Sequence, residues 1–460
     1  MPAARFPILQ DIPSYSRFLT VSEVDTLLQS IRDLPGVHTH AIGRTVNGED
    51  LLMLEVGSGD RTALVIGVPH SDEPLGSLLT TYFVRWLATH PQANHFGWRW
   101  LVIPILEWRG MRLNEGWFNR PDSLAAVAKA SFREPTEEQY EWTFPASYED
   151  YQWTRSRPET LAVKRVLERE KPALLCGLHH SGFTNAYYYF SHHFPEVYGP
   201  LRKFVAPLRI PLSDTSPDVP FGRMLHPGFY QMYGLKDYLD YYATTSPALI
   251  KTIQRGACSD EWYQKEIGSG FSFNCEVPMY LSLLMQDKNP SSANHQKMQE
   301  ARYKTKMARA RYAKRILNRL AGHADLADGM LYEMAKKHLD SEWRYLEHEK
   351  ELLTAPPKKE GKLTRGEVLE GELLADLSDL FLLGHLWRVA ESICIKGGMG
   401  SLCRVMDSVN LEIISLAKSV QKRGQFYQVP LRTAVKMQLG SLLIIAEALR
   451  TKSDPEFLSL

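Results

Sequence analysis

Where the apolar run Thr62 to Val68 (TALVIGV) gives out, the chain reads Gly67-Val-Pro-His70-Ser-Asp-Glu73-Pro-Leu-Gly76. A histidine and a glutamate at i and i+3 on one turn can both reach a single zinc ion, through an imidazole nitrogen and a carboxylate oxygen. The spacing alone is a weak signal. With 15 histidines, roughly one such pair is expected by chance, and the chain has two more, His193/Glu196 and His348/Glu351. Context separates them: His348 lies inside a charged helical stretch and His193 follows an aromatic run, whereas His70 stands where a strand ends and a helix begins. A hydrolytic zinc site with two ligands on one turn needs a third protein ligand and an open position for water. The run Ala173 to Leu178 (ALLCGL) offers one by ending in His179-His180. A general base is needed as well, and Phe271-Ser-Phe-Asn-Cys-Glu276-Val-Pro278 sets one carboxylate inside an apolar, strand-like run. Burying an unpaired carboxylate is costly, and that cost points to function. A salt-bridged strand-end residue is the bland counterpart.

These residues must be held by strands and helices. Thr62 to Val68, Trp100 to Leu106 (WLVIPIL) and Ala173 to Leu178 read as buried strands; Leu75 to Leu87 and Pro158 to Glu170 have helical spacing. Strand-helix-strand units predict an α/β domain with a mostly parallel sheet, whose ligands bind beyond the carboxyl ends of its strands. From His295 on, glycine and proline become scarce and helical periodicity takes over, broken at Thr354 to Lys362, with apolar stripes over Leu369 to Ile395 and Leu431 to Leu449. The expected division is therefore a catalytic α/β domain at 1–295 and an all-α C-terminal domain at 296–460. Two domains suit a chain of 460 residues, of which 44% are hydrophobic.

Lys+Arg number 54 and Asp+Glu 53, a net charge of +1, which argues against a nucleic-acid partner for the whole chain. The basic stretch Ala301 to Leu320 reads as cations offset by acids elsewhere. Five irregularly spaced cysteines without a CxxC pair suit a reducing compartment. The N-terminus does not read as a signal peptide and no window reaches ~18 apolar residues, so a cytoplasmic protein without a membrane partner is expected.

The ordered set His70-x-x-Glu73, Leu178-His179 and Phe273-Asn-Cys-Glu276-Val-Pro278 resembles the zinc carboxypeptidases similar to carboxypeptidase A. Ile103-Pro-Ile-Leu-Glu-Trp-Arg-Gly110 occupies the place of the family's Asn-Pro-Asp-Gly element, Trp117-Phe-Asn119-Arg120 resembles its Asp-x-Asn-Arg element, and Ser259-Asp-Glu-Trp262 its specificity-pocket segment. The resemblance covers residues 40 to 285 or so. It implies a three-layer α/β/α domain with a mixed, mostly parallel sheet and one zinc per chain, held by His70, Glu73 and His179. Glu276 would be the general base that takes the proton of the attacking water and passes it to the leaving nitrogen. Asn119 and Arg120 would hold a terminal carboxylate, and Arg112 would stabilise the oxyanion, with Arg109 as second candidate in the same arginine cluster. The implied substrate is a peptide cut at its C-terminal bond, or a small carboxylated amide.

This chain departs from the family in several places. Glu107-Trp108-Arg109-Gly110 keeps only the glycine of Asn-Pro-Asp-Gly. Trp117 replaces the acid that orients the first zinc histidine, with Glu115 as a substitute, and Gly177 stands where relatives often carry Asp. His180 competes with His179 by one position, though only one of them faces the metal if the strand runs through both. Tyr242 and Tyr263 are weak counterparts of the family's mobile tyrosine, and Tyr187 to Phe190 is either a cleft wall or core. Two other functions compete: an N-acyl amino acid deacylase resembling aspartoacylase and succinylglutamate desuccinylase, and a non-catalytic scaffold with a decayed zinc site. The C-terminal helices could form a homo-oligomer or recruit a protein partner.

Overall fold

The computed structural model describes residues 6–213, 218–268, 270–354, 363–397 and 400–451. Its strands, in chain order, are β1 (Val37–Arg44), β2 (Asp50–Val56), β3 (Arg61–Ile66), β4 (Trp98–Ile103), β5 (Ala146–Tyr148), β6 (Tyr151–Trp153), β7 (Leu174–Gly177), β8 (Tyr187–Phe190), β9 (Met224–His226), β10 (Phe229–Gln231), β11 (Phe271–Glu276), β12 (Tyr280–Leu281) and β13 (Tyr427–Gln428). Nine of them form one mixed sheet in the order β1-β2-β4-β3-β7-β11-β8-β10-β9. Its centre, β4-β3-β7-β11, is parallel, while β2 on β4 and β8 on β11 are antiparallel. Parallel strands are covered on both faces and so read as unbroken apolar runs. All of β7 and the last four residues of β3 and of β4 are buried accordingly. These are the three runs picked out in the sequence. The helix Leu75–Thr89 crosses from β3 to β4, and the helix Pro158–Glu170 leads into β7. The α/β architecture with a helical C-terminal region is thus the one expected.

The compact units do not follow a single cut in the chain. One comprises Met1–Arg112, Thr136–Met279 and Val429–Leu460; the other comprises Leu113–Pro135 and Tyr280–Gln428. A boundary at 295/296 follows the change in composition, whereas contacts return the last helix, Leu431–Thr451, to the first unit. There it packs against the helices Leu75–Thr89 and Pro195–Val205. Its buried Gln438 donates from Nε2 to the carbonyl oxygens of His179 and, at 3.3 Å, Cys275, tying together the ends of β7 and β11.

The second unit is helical: Leu124–Ala130, His295–Ala321, Gly329–Thr354, Arg365–Ile395 and Gly400–Gly424. In its basic helix, Arg302 pairs with Glu349, Lys306 with Glu342, and Arg309 with Asp376 and Asp379. Acids on neighbouring helices therefore offset these cations. Beyond residue 354, the break expected over Thr354 to Lys362 lies outside the described residues. Among the described residues no helix is long and apolar enough to cross a membrane.

Candidate metal centre

The centre lies at the carboxyl ends of the parallel strands. After β3 the backbone bends sharply, with Val68 at φ 50°, and enters a reverse turn closed by the Glu73 N–H on the His70 carbonyl (3.1 Å). The helix starts only at Leu75, so His70 and Glu73 share a tight turn ahead of it rather than a helical turn. Gly76 lets that helix sit close: a Cβ there would lie 2.7 Å from the Val68 nitrogen. After β7 the chain leaves the sheet at Gly177 and delivers His179 to the same point. Since the strand stops before both histidines, strand alternation does not choose between His179 and His180.

His70, Glu73 and His179 are all buried, and their ligand atoms lie within 4.8 Å of one another, the one such cluster among the described residues. Glu73 sits between the rings, with Oε1 3.0 Å from His70 Nδ1 and Oε2 3.0 Å from His179 Nδ1. A second carboxylate closes the other side. Glu141 Oε2 is 3.1 Å from His70 Nε2, and its Oε1 is 3.6 Å from His179 Nε2. Burial alone would raise both carboxyls, but His70 and His179 outweigh it and hold each well below the usual carboxylate range. His179 is held well above the ordinary imidazole value, because Glu141 and Glu73 outweigh its burial. Two buried carboxylates facing two imidazoles leave two negative charges when the rings are neutral, which a divalent cation would balance. Two imidazoles and a carboxylate are also a donor set that zinc takes. The residues therefore fit the metal.

Glu276 ends β11, buried and in register with Tyr187 of β8. Burial, opposed by the attraction of His179 and reinforced by the charges of Glu73, Asp218 and Glu141, pushes its carboxyl well above the ordinary range. Tyr187 and Tyr189 alternate onto one face of β8, and both donate to Asp218 Oδ2, at 2.8 and 3.0 Å. Tyr188 points the other way and meets Ser441 Oγ at 2.8 Å. Both faces of the aromatic stretch are therefore buried: Tyr187 and Tyr189 cluster with Tyr230, and Tyr188 packs on the other side of the sheet.

Other residues picked out in the sequence have surroundings of their own. Arg112 pairs with Glu49 (2.9 Å) while its side chain stays 56% exposed, and Arg109 donates to Asn47 Oδ1 (3.0 Å); both partners are in the turn joining β1 to β2. Asn119 and Arg120 are exposed residues of the second unit, as is the less exposed Glu115. Trp117 is buried and donates to Asn114 Oδ1 (3.0 Å), a packing role. Asp260 is buried against Ser272, and burial pushes its carboxyl up to about 7. The buried Tyr263 donates its hydroxyl to the Pro172 carbonyl, and Tyr242 packs on Tyr238 and Tyr241.

Sequence reasoning missed Glu141, Asp218 and Gln438. Glu141 carried a signal, since it stands between Tyr140 and Trp142 and an acid among aromatics is the pattern that exposed Glu276. Gln438 carried none, because nothing local marks one polar residue of an apolar helix.

No family model and no curated protein matches the chain. Solved structures similar to it include a candidate metallopeptidase from Shewanella amazonensis, at 13% identity and a TM-score of 0.40 over 56% of this chain and 84% of that one. A carboxypeptidase A from Helicoverpa armigera matches at 12% identity and a TM-score of 0.36, over 58% of this chain and 66% of that one. Bovine thrombin-activatable fibrinolysis inhibitor, solved with a tick carboxypeptidase inhibitor, matches at 14% identity and a TM-score of 0.35, over 56% and 86%.

Proposed function

We propose that the chain is a zinc-dependent hydrolase of the carboxypeptidase type that cleaves an amide bond next to a free carboxylate, in a peptide or a small metabolite. The observation that carries this reading is the buried His70-Glu73-His179 cluster at the ends of adjacent parallel strands, with Glu276 ending the next strand. A zinc ion in that cluster would polarise the amide carbonyl and make water a better nucleophile. Glu276 takes a proton from the attacking water and returns it to the leaving nitrogen. Tyr187, the register partner of Glu276, and Tyr189 both donate to Asp218.

The test is metal analysis combined with Glu276→Gln. The native chain should carry about one zinc, and the variant should keep the zinc while kcat falls by about 10²–10⁴-fold. A native chain that binds no zinc, or a variant with undiminished kcat, overturns the reading. Assaying peptides with free carboxylates against N-acyl amino acids separates peptidase from deacylase. Substituting Arg109, Arg112 and Arg120 in turn by Ala identifies, by a rise in KM, the guanidinium that meets the carboxylate.

A further inference from the structure

Two of the five cysteines stand at the joint between two helices of the second unit. Cys394 is the last residue but one of the helix Arg365–Ile395, and Cys403 is the fourth residue of the helix Gly400–Gly424. Their sulfur atoms lie 2.9 Å apart, with the Cys403 thiol donating to Cys394. A covalent S–S bond is about 2.05 Å long, so a closer approach of about 0.9 Å joins them. We propose that this thiol pair is an oxidation site, which a peroxide closes to an intramolecular disulfide that clamps the two helix ends and which a dithiol reopens. The proposal does not depend on the metal centre.

The surroundings of the thiols single out this pair. Cys176, Cys258 and Cys275 are buried, and their sulfurs donate to the Gly177 carbonyl (3.7 Å), the Tyr233 carbonyl (3.5 Å) and Ser441 Oγ (3.9 Å). Cys394 and Cys403 are half-buried, within reach of a small oxidant. Burial, the Cys403 thiol and the acids Asp407 and Glu391 push the Cys394 thiol up to about 11. Because the thiolate is the reactive form, the pair stays a dithiol until an oxidant is present. In the first step one sulfur gives an electron pair to a peroxide oxygen, the O–O bond breaks, water leaves and a sulfenic acid remains on that sulfur. The second sulfur then attacks the first, the hydroxyl leaves with the remaining thiol proton as water, and the S–S bond forms. Two thiols and one hydrogen peroxide thus give one disulfide and two waters, the peroxide taking both electrons. The bridge would fix the end of a helix that gathers other segments of its unit. Ser392 Oγ accepts the Asp328 N–H (3.1 Å), and Arg388 donates to the carbonyls of Ala130 (2.9 Å) and Ser131 (3.2 Å).

The experiment uses the full chain, purified with a reductant, freed of it and treated with hydrogen peroxide before alkylation and trypsin digestion. Cleavage after Arg388, Lys396 and Arg404 puts Cys394 and Cys403 on separate peptides, residues 389–396 and 397–404. Mass spectrometry should find these two peptides disulfide-linked in monomeric chain, absent without peroxide and released by dithiothreitol, with two of the five thiols lost. The closed loop restricts the unfolded chain, so the urea midpoint should rise on oxidation, and the rise should vanish in Cys403→Ser. Peptides recovered separately after peroxide, whether alkylated or carrying sulfinic acids, overturn the proposal, as does a bridge to a buried cysteine or between two chains. A linked chain whose urea midpoint does not rise overturns the clamp. If Cys403→Ser fails to fold, Cys394→Ser takes its place, and the peptide measurement on the native chain decides in either case.

Discussion

His70 and His179 lie with ring centroids 4.9 Å apart; in the helical unit, His338 and His385 lie 5.0 Å apart. Both pairs are largely buried and tilted at similar angles, yet their chemistry runs in opposite directions. In the first pair every ring nitrogen faces a carboxylate. In the second, His338 Nδ1 faces His385 Nδ1 at 3.0 Å, and His385 Nε2 meets the hydroxyl of Ser131 at 3.3 Å. Burial, with the neighbouring His338 and Arg388, holds His385 well below the ordinary imidazole value. Burial also lowers His338, against the pull of Glu342 and with the push of Lys306. The comparison teaches that proximity of two imidazoles decides little. The number of carboxylates facing the rings differs: Glu73 and Glu141 face both rings of the first pair, whereas in the second one carboxylate, Glu342, lies 4.0 Å from His338 Nε2, and it is itself paired with Lys306.

Removing one histidine from each pair tests this most severely. His179→Ala should abolish zinc binding and leave the buried Glu73 and Glu141 with His70 as their one shared imidazole, at a cost of about 3–5 kcal/mol. His385→Ala should keep one zinc per chain and cost about 1–3 kcal/mol, for the ring nitrogen and hydroxyl left unsatisfied. Zinc analysis and urea unfolding check both, and zinc loss in His385→Ala would break the contrast.

A smaller effect tests how the first pair is held. Gln438→Ala leaves the His179 and Cys275 carbonyls without their buried donor. It should cost about 1–3 kcal/mol and weaken zinc binding, as seen in the urea midpoint and the chelator titration. The smallest effect separates the pairs by pH. The folded-state pKa values of His338 and His385 lie below the unfolded value near 6.5. Their contribution is therefore complete above about pH 6.5 and is lost as the pH falls toward the folded values. Asp379, pushed up to about 6 by burial, has the opposite sign, so the comparison must be with His385→Gln. Between pH 7.5 and 5.5 the native chain should lose on the order of 1 kcal/mol more stability than that variant. An equal loss would show that the second pair does not stay neutral.

Legibility in the sequence followed locality. β3, β4 and β7 were readable because a strand buried on both faces must be apolar throughout, and Pro158–Glu170 because its 3.6-residue period survives without tertiary help. His70, Glu73 and His179, which the structure brings together, and Glu276, which ends β11, each stand at or near the end of such a run, and that position is visible in the sequence. The arginines after β4 were not: charge clustering marked them, but only the fold pairs Arg112 with Glu49 and Arg109 with Asn47. The last helix was misplaced for a similar reason, since composition groups it with the helices before it.

The sequence by itself determined which segments become buried strands and that histidines and carboxylates stand at their carboxyl ends, because hydrophobic periodicity and its interruptions are local properties of a chain. Only the tertiary structure decided which other groups lie beside His70 and His179. Glu141 arrives from a turn anchored by Glu107, Arg157 and Thr160, and Gln438 reaches the carbonyl of His179 from the far end of the chain. A hydrogen bond is satisfied by proximity in space, and no spacing along a sequence encodes which distant group will supply it.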